Sequence, residues 1–203
     1  LWNLYSKAET PFKWHDDAFK LAKKLNVILF STPFSLRAVQ LLEKLNVKLY
    51  KIASPEVNHL LLLQELASYK LPILLSCGIS LLSDIERALT ILDNNMVTLL
   101  HCITQYPSPA EEYNLNVLPH LSSLFGVSIG VSDHTLEVSL VPELAVALGA
   151  IVIEKHFTLK NKNGGLDDLI ALEPDKFSYL VDEVRKVEET RNRLDSIKAI
   201  NII

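Results

Sequence analysis

Two histidines carry the strongest chemical signal in the sequence. His134 lies in Ser132-Asp133-His134 and His156 in Glu154-Lys155-His156, 22 residues further on. Each follows a short apolar run, so both sit just past the ends of consecutive expected strands. Two neutral imidazoles, completed by water or substrate oxygens, suit a borderline divalent ion such as Mn²⁺ or Zn²⁺. A lone histidine in such a place more often satisfies local backbone groups. Equivalent positions on adjacent units shift the balance towards a metal.

Lys51, in Tyr50-Lys51-Ile52-Ala53-Ser54, is the second signal. A lysine at the end of an apolar strand is costly to bury unless it meets an anion. It suits a phosphate or carboxylate ligand, or a Schiff-base lysine. The hydroxyls of Thr32, Ser54 and Ser76 would converge with it, and a snorkelling surface lysine is the bland alternative. Two loops could contribute further: Gln105-Tyr106-Pro107-Ser108-Pro109, aiming Tyr106 inward, and Asn163-Gly164-Gly165-Leu166-Asp167-Asp168, laying Asp167 over the site. Each reads equally well as a surface turn. His101 falls inside an apolar strand and reads as a satisfied core histidine. His15, His59 and His120 carry no signal, and Cys77, with no base evident, reads as packing.

These residues need a scaffold, and the chain can supply one. It has 203 residues, 49% of them hydrophobic and 22% charged, which makes it globular rather than disordered. With only 7% aromatics the core must be aliphatic. The net charge of −4 argues against a nucleic-acid partner. Two cysteines, Cys77 and Cys102, exclude a disulfide framework and fit a reducing compartment. The longest apolar run, Leu144–Ile153, is far below the roughly 18 residues of a membrane span, and nothing at the start reads as a signal peptide.

Six strands are expected: Asn26–Ser31, Lys48–Ile52, Pro72–Ser76, Val97–Cys102, Val127–Val131 and Ala150–Glu154. Each is short and apolar, the pattern of strands buried on both faces. Amphipathic segments alternate with them: Asp16–Leu25, Leu36–Leu45, Pro55–Tyr69, Leu81–Leu92, Leu115–Phe125, Leu136–Leu148 and Pro174–Thr190. Alternating βα units imply parallel strands. All six strands end in polar groups. A doubly wound sheet needs decoration only at its switch point, whereas a barrel turns every strand end to one mouth. No glycine-rich phosphate fingerprint follows any strand. The expectation is therefore an α/β partial (β/α)8 barrel over residues 1–190, two units short of closure, with a tail at 191–203.

Several strings taken together resemble the sialic acid (nonulosonic acid) synthase family. They are Phe30-Ser31-Thr32-Pro33-Phe34, Tyr50-Lys51-Ile52-Ala53-Ser54, Leu100-His101-Cys102, Tyr106-Pro107, Gly130-Val131-Ser132-Asp133-His134-Thr135 and Ile153-Glu154-Lys155-His156-Phe157-Thr158-Leu159. Leu172-Glu173-Pro174, preceded by Gly164–Asp167, adds to the set. The opening, Leu1-Trp2-Asn3-Leu4-Tyr5 with Ala8, Thr10-Pro11 and Trp14-His15, is similar to the pseudaminic acid branch. The N-acetylneuraminate and legionaminate branches are the alternatives.

The resemblance implies a (β/α)8 barrel that condenses phosphoenolpyruvate with an N-acetylated amino sugar, in the pseudaminic branch 2,4-diacetamido-2,4,6-trideoxy-altrose. It implies His134 and His156 as ligands of a divalent metal, Mn²⁺ foremost, with Mg²⁺ or Co²⁺ as alternatives. Lys51, Ser54, Ser76, Ser132 and Thr32 match the phosphoenolpyruvate pocket, and Tyr106 and Thr104 a phosphate-side pair. Glu154 and Asp167 match positions near the amino sugar, with Glu154 and Tyr106 as the catalytic candidates. Cys77 departs from a family Ser-Thr-Gly string. The family's first two strands, with a catalytic Glu and a second phosphate-binding Lys, and its small C-terminal antifreeze-like domain have no counterpart here. The chain is thus expected to act as six units of a longer cytoplasmic, homodimeric parent and to turn over little by itself. Two rivals stay open: another phosphoenolpyruvate- or pyruvate-using barrel enzyme, in which borohydride would trap pyruvate on Lys51, and a non-catalytic remnant.

Overall fold

Each apolar run after residue 47 becomes a strand, and together they form one parallel sheet. The computed structural model describes residues 10–162 and 165–191. The strands are β1 (Tyr50–Ile52), β2 (Ile73–Ser76), β3 (Val97–Cys102), β4 (Ser128–Asp133) and β5 (Val152–Lys155), paired in the order β1-β2-β3-β4-β5. Order follows sequence with no reversal, which excludes the doubly wound alternative. The α-helices among the described residues are α1 (Phe12–Leu25), α2 (Leu36–Lys44), α3 (Leu60–Ser68), α4 (Leu82–Ile91), α5 (Val117–Phe125), α6 (Leu140–Ala147) and α7 (Pro174–Thr190). Among the described residues no helix is long and apolar enough to cross a membrane.

Alternation along the strands makes two apolar layers. Outward residues such as Tyr50, Ile52, Leu75, Leu99 and Val131 meet Leu62, Leu66, Ile85, Ala88, Leu118 and Ala145 of the helices. Full burial of each large aliphatic side chain stabilises this layer by about 1.5–3 kcal/mol. Inward residues Leu49, Leu74 and Leu100 form a second cluster with Phe30, and Val152 packs against it. Gly130 makes that inner layer possible, because a Cβ there would lie 2.6 Å from the Leu100 side chain and 2.5 Å from the Val152 carbonyl oxygen.

The sheet is strongly curved. Lys51 on β1 and Glu154 on β5 approach to 3.4 Å, whereas in a flat sheet strands four places apart would lie about 19 Å apart at roughly 4.8 Å per step. The concave side is the inside of an open half-barrel, and the C-terminal strand ends surround its mouth.

One expected strand does not form. Asn26–Ser31 carries no ladder bonds, so among the described residues the sheet has five strands rather than six. Its described neighbour β1 is just three residues long and offers few ladder positions. Phe30 alone anchors the segment to the inner layer, while Ile28 is exposed. Elsewhere the limits shift by a few residues. Pro72 lacks an N–H and stays outside β2, although its carbonyl accepts from Tyr50 N–H. The segment Pro55–Tyr69 divides into a 3₁₀ turn, Ser54–Asn58, and α3. Helix Pro174–Thr190 forms as expected, with Pro174 in its first turn.

Candidate active site at the barrel mouth

Period two turns Lys51, Ser76, Cys102, Ser132 and Glu154 to the concave side. With Ala53, Ser54, Pro55, Thr104, Tyr106, His134 and His156 they line one cavity of about 160 Å³. Ten of these twelve are polar or ionisable side chains drawn from every strand end, so the mouth is built for a polar ligand.

A chain of hydrogen bonds and close polar contacts crosses this cavity. Lys51 Nζ donates to Ser76 Oγ at 2.9 Å and faces Glu154 Oε1 at 3.4 Å. Ser132 Oγ donates to the same Glu154 oxygen at 2.7 Å and stands 3.3 Å from His134 Nε2. A hydroxyl has one proton, and the shorter, charge-assisted bond to the carboxylate takes it. His134 Nδ1 meets the Ile103 carbonyl at 2.7 Å, which places the ring proton on Nδ1 and leaves an Nε2 lone pair at the cavity.

The two histidine rings lie 5.5 Å apart between centroids. Tyr106 stacks on His134 at 4.2 Å and meets His156 edge-on at 5.9 Å. Burial lowers the pKa of both histidines, with the nearby carboxylates opposing it. Neutral imidazoles with a fixed tautomer are what a divalent metal requires, so the pair fits the expected ion. Among the described residues no group of three or more His, Cys, Asp or Glu is arranged as a ligand set. Oxygen donors from water or substrate would complete the coordination, as the sequence reading supposed.

Burial holds the Tyr106 hydroxyl up to about 12, aided by the Cys102, Asp167 and Glu154 charges. It therefore stays a hydrogen-bond donor at neutral pH. Asp167 reaches His156 Nδ1 at 3.5 Å from outside the cavity lining. Of its loop, Asn163 and Gly164 lie outside the described residues, as do Leu1–Tyr5 and Ala8 of the opening motif and the tail beyond Arg191. Ser54 Oγ accepts from Ile79 N–H at 2.9 Å and ties the β1 and β2 loops together. Thr104 closes the wall against Gly78, where a Cβ would lie 2.7 Å from Thr104 Oγ1 and 2.6 Å from Cys102 Sγ.

Thr32 is not brought to this cavity. It lines a separate hollow with Thr10, Phe12, His15, Phe34 and Ser35. Without ladder bonds to keep it in register with β1, the end of Asn26–Ser31 turns to the α1/α2 side. Cys77 packs in the outer layer, and burial raises its thiol to about 12, as expected of a packing residue. His101 is likewise a satisfied histidine, its Nε2 2.7 Å from the Tyr113 carbonyl.

Sequence reasoning missed three features. Cys102 lines the cavity, which its period-two spacing from Leu100 signals. Tyr113, far from any strand end, accepts from His134 N–H at 2.8 Å and donates to the Ser132 carbonyl at 3.1 Å. It thus holds two cavity residues through their backbones, and no local motif announces it. The third is the buried Lys155–Asp133 pair, 2.7 Å apart behind the strands.

Known proteins resemble this chain in sequence and fold. Pseudaminic acid synthase of Helicobacter pylori is 41% identical over 189 residues, 92% of this chain and 55% of that protein. N,N'-diacetyllegionaminic acid synthase of Campylobacter jejuni is 40% identical over 202 residues, 96% of this chain and 59% of that protein. The crystal structure of N-acetylneuraminic acid synthetase from Leptospira borgpetersenii superposes with a TM-score of 0.90 at 33% identity, covering 95% of this chain and 68% of that one. The chain thus spans little more than half the length of these curated relatives. The NeuB family profile matches residues 1–195. With its half-barrel of parallel strands and its polar mouth, the chain belongs to the NeuB family of nonulosonic acid synthases.

Proposed function

We propose that this chain forms the mouth of an enzyme that condenses phosphoenolpyruvate with an N-acetylated amino sugar, in the pseudaminic acid branch. The observation that carries the proposal is the convergence of Lys51, Ser76, Ser132, Glu154, His134 and His156 on one cavity. The opening motif and the 41% identity to a pseudaminic acid synthase favour that branch. The legionaminate synthase at 40% keeps the second sugar class in play.

In this reading Lys51 and Ser76 hold an anionic oxygen of phosphoenolpyruvate, and Ser54 and Thr104 shape the wall beside it. Tyr106 offers its hydroxyl to the phosphate. Held together, the reactants meet as one positioned pair rather than by encounter. The enol carbon attacks the open-chain aldehyde of the sugar, and the alkoxide so formed takes, by way of Glu154, the proton that the adding water releases. Water then adds to C2, losing its proton, and the tetrahedral intermediate expels phosphate by C–O cleavage. Glu154, oriented by Ser132 and Lys51, is the carboxylate placed to take and return these protons. His134 and His156 would hold a divalent metal such as Mn²⁺, which when bound would supply Lewis-acid polarisation of the aldehyde. Asp167, beside His156, faces the sugar's hydroxyls.

The test is a graft of this chain into the Helicobacter pylori relative in place of the 189 residues it matches. A folded chimera should release phosphate from phosphoenolpyruvate with Mn²⁺ and 2,4-diacetamido-2,4,6-trideoxy-altrose, faster than with the legionaminate or neuraminate precursor sugars. Absence of phosphate release with all three sugars from a folded chimera would contradict the proposal.

A further inference from the structure

We propose that Lys155 is a positioning residue that sets the separation of His134 and His156. The inference rests on the reading of those two histidines as one binding site. Strand pairing between β4 and β5 ends at the Asp133–Lys155 rung, one residue short of both histidines. The spacing of the two rings therefore depends on what holds the chain beyond that rung.

Lys155 does so from the outer face. Its Nζ donates to Asp133 Oδ2 at 2.7 Å, to the Thr135 carbonyl at 2.8 Å and to the Glu137 carbonyl at 3.0 Å. An ammonium has three N–H donors, and all three are used here. The acceptors lie on either side of His134, so the β4 end that carries His134 is pinned to one atom of the residue next to His156. Asp133 Oδ1 accepts from Thr135 N–H at 2.8 Å, closing the same turn. Both side chains are almost fully buried, 1% and 0% exposed, so water does not compete for these bonds. The cluster lies behind the cavity, and neither Asp133 nor Lys155 lines it.

Stability alone does not account for the arrangement. Buried ion pairs are often replaced by apolar residues of similar volume with no loss of stability. Such a replacement removes the tether while preserving the fold, and this provides the test. The 203-residue chain would be compared with Asp133→Leu/Lys155→Met and with Asp133→Asn, each checked for folding by circular dichroism. The metal-free readout is the NOE between His134 and His156 ring protons, with the upfield shift of His134 from the stacked Tyr106 ring.

The double variant should lose the NOE and the upfield shift, and its Mn²⁺ affinity should fall about 10–100-fold, the usual effect of removing a residue that orients a ligand. Asp133→Asn, which leaves the two carbonyl bonds of Lys155 in place, should keep the NOE. If the double variant does not fold, Asp133→Asn/Lys155→Met, which leaves no buried charge unpaired, is read in its place. An unchanged NOE and shift in the folded variant would overturn the proposal, as would their loss in Asp133→Asn. Failure of the unmodified chain to bind Mn²⁺ would instead refute the metal reading, while the NOE comparison still decides the role of Lys155.

Discussion

Lys51 on the first strand and Glu154 on the fifth meet across the half-barrel at 3.4 Å. Their charges lie close enough to offset one another, and each has a hydroxyl partner, Ser76 for Lys51 and Ser132 for Glu154. The contact exists only because the sheet curls, so fold and site depend on one another here. An incoming phosphate would compete with Glu154 for Lys51. Ligand binding and release of the carboxylate are thereby linked.

Glu154→Gln keeps the shape of the side chain and removes its charge. In the grafted enzyme this change should lower kcat by about 10²-fold or more, the usual contribution of a positioned general acid or base. Phosphoenolpyruvate affinity should hold within a few-fold. Steady-state phosphate release checks this, and an unchanged kcat would remove Glu154 from the chemistry.

Tyr113→Phe deletes one hydroxyl that serves two backbones. His134 N–H loses its acceptor and the Ser132 carbonyl loses a donor. Leaving a buried backbone group unpaired costs about 1–3 kcal/mol, which for a chain of this size corresponds to roughly 2–12 °C in Tm. Differential scanning calorimetry reads this directly. A Tm within about 1 °C of the parent would contradict the clamp, since the expected shift is larger.

Stability should fall as pH drops through the histidine range. Burial lowers the folded-state pKa of His101, His134 and His156 below the ordinary 6.5. Near that value the unfolded chain takes up protons that the folded chain resists, so acid favours unfolding. The stabilisation is present in full above about pH 7.5 and declines as the pH falls through 6.5 and below. Urea titrations of the metal-free chain at a series of pH values should show the loss, and replacement of His101 by Asn should reduce it. Stability that is flat between pH 7.5 and 5.5 would contradict the burial of these rings as neutral groups.

Much of this was legible from residue order. Five of the six short apolar runs form the parallel sheet, and their polar ends favour a barrel over a doubly wound sheet. His134, His156, Lys51 and Ser76 stand out by their places at strand ends, whereas Ser132 and Glu154 take their site roles from the family resemblance. Thr32 failed because a strand end is a useful landmark only where the strand is paired, and Asn26–Ser31 is not. Tyr113 and Lys155 were invisible as site components for another reason. They act through backbone groups brought together only by the tertiary fold, one from a loop and one from behind the sheet.

The central claim is that this mouth binds phosphoenolpyruvate through Lys51. Calorimetric titration of phosphoenolpyruvate into the Mn²⁺-supplemented chain, beside Lys51→Met of matched circular dichroism, tests it most directly. Loss of a charge-assisted hydrogen bond worth about 1.5–3 kcal/mol should weaken binding roughly 10–150-fold. Equal affinity in the two proteins would contradict the account.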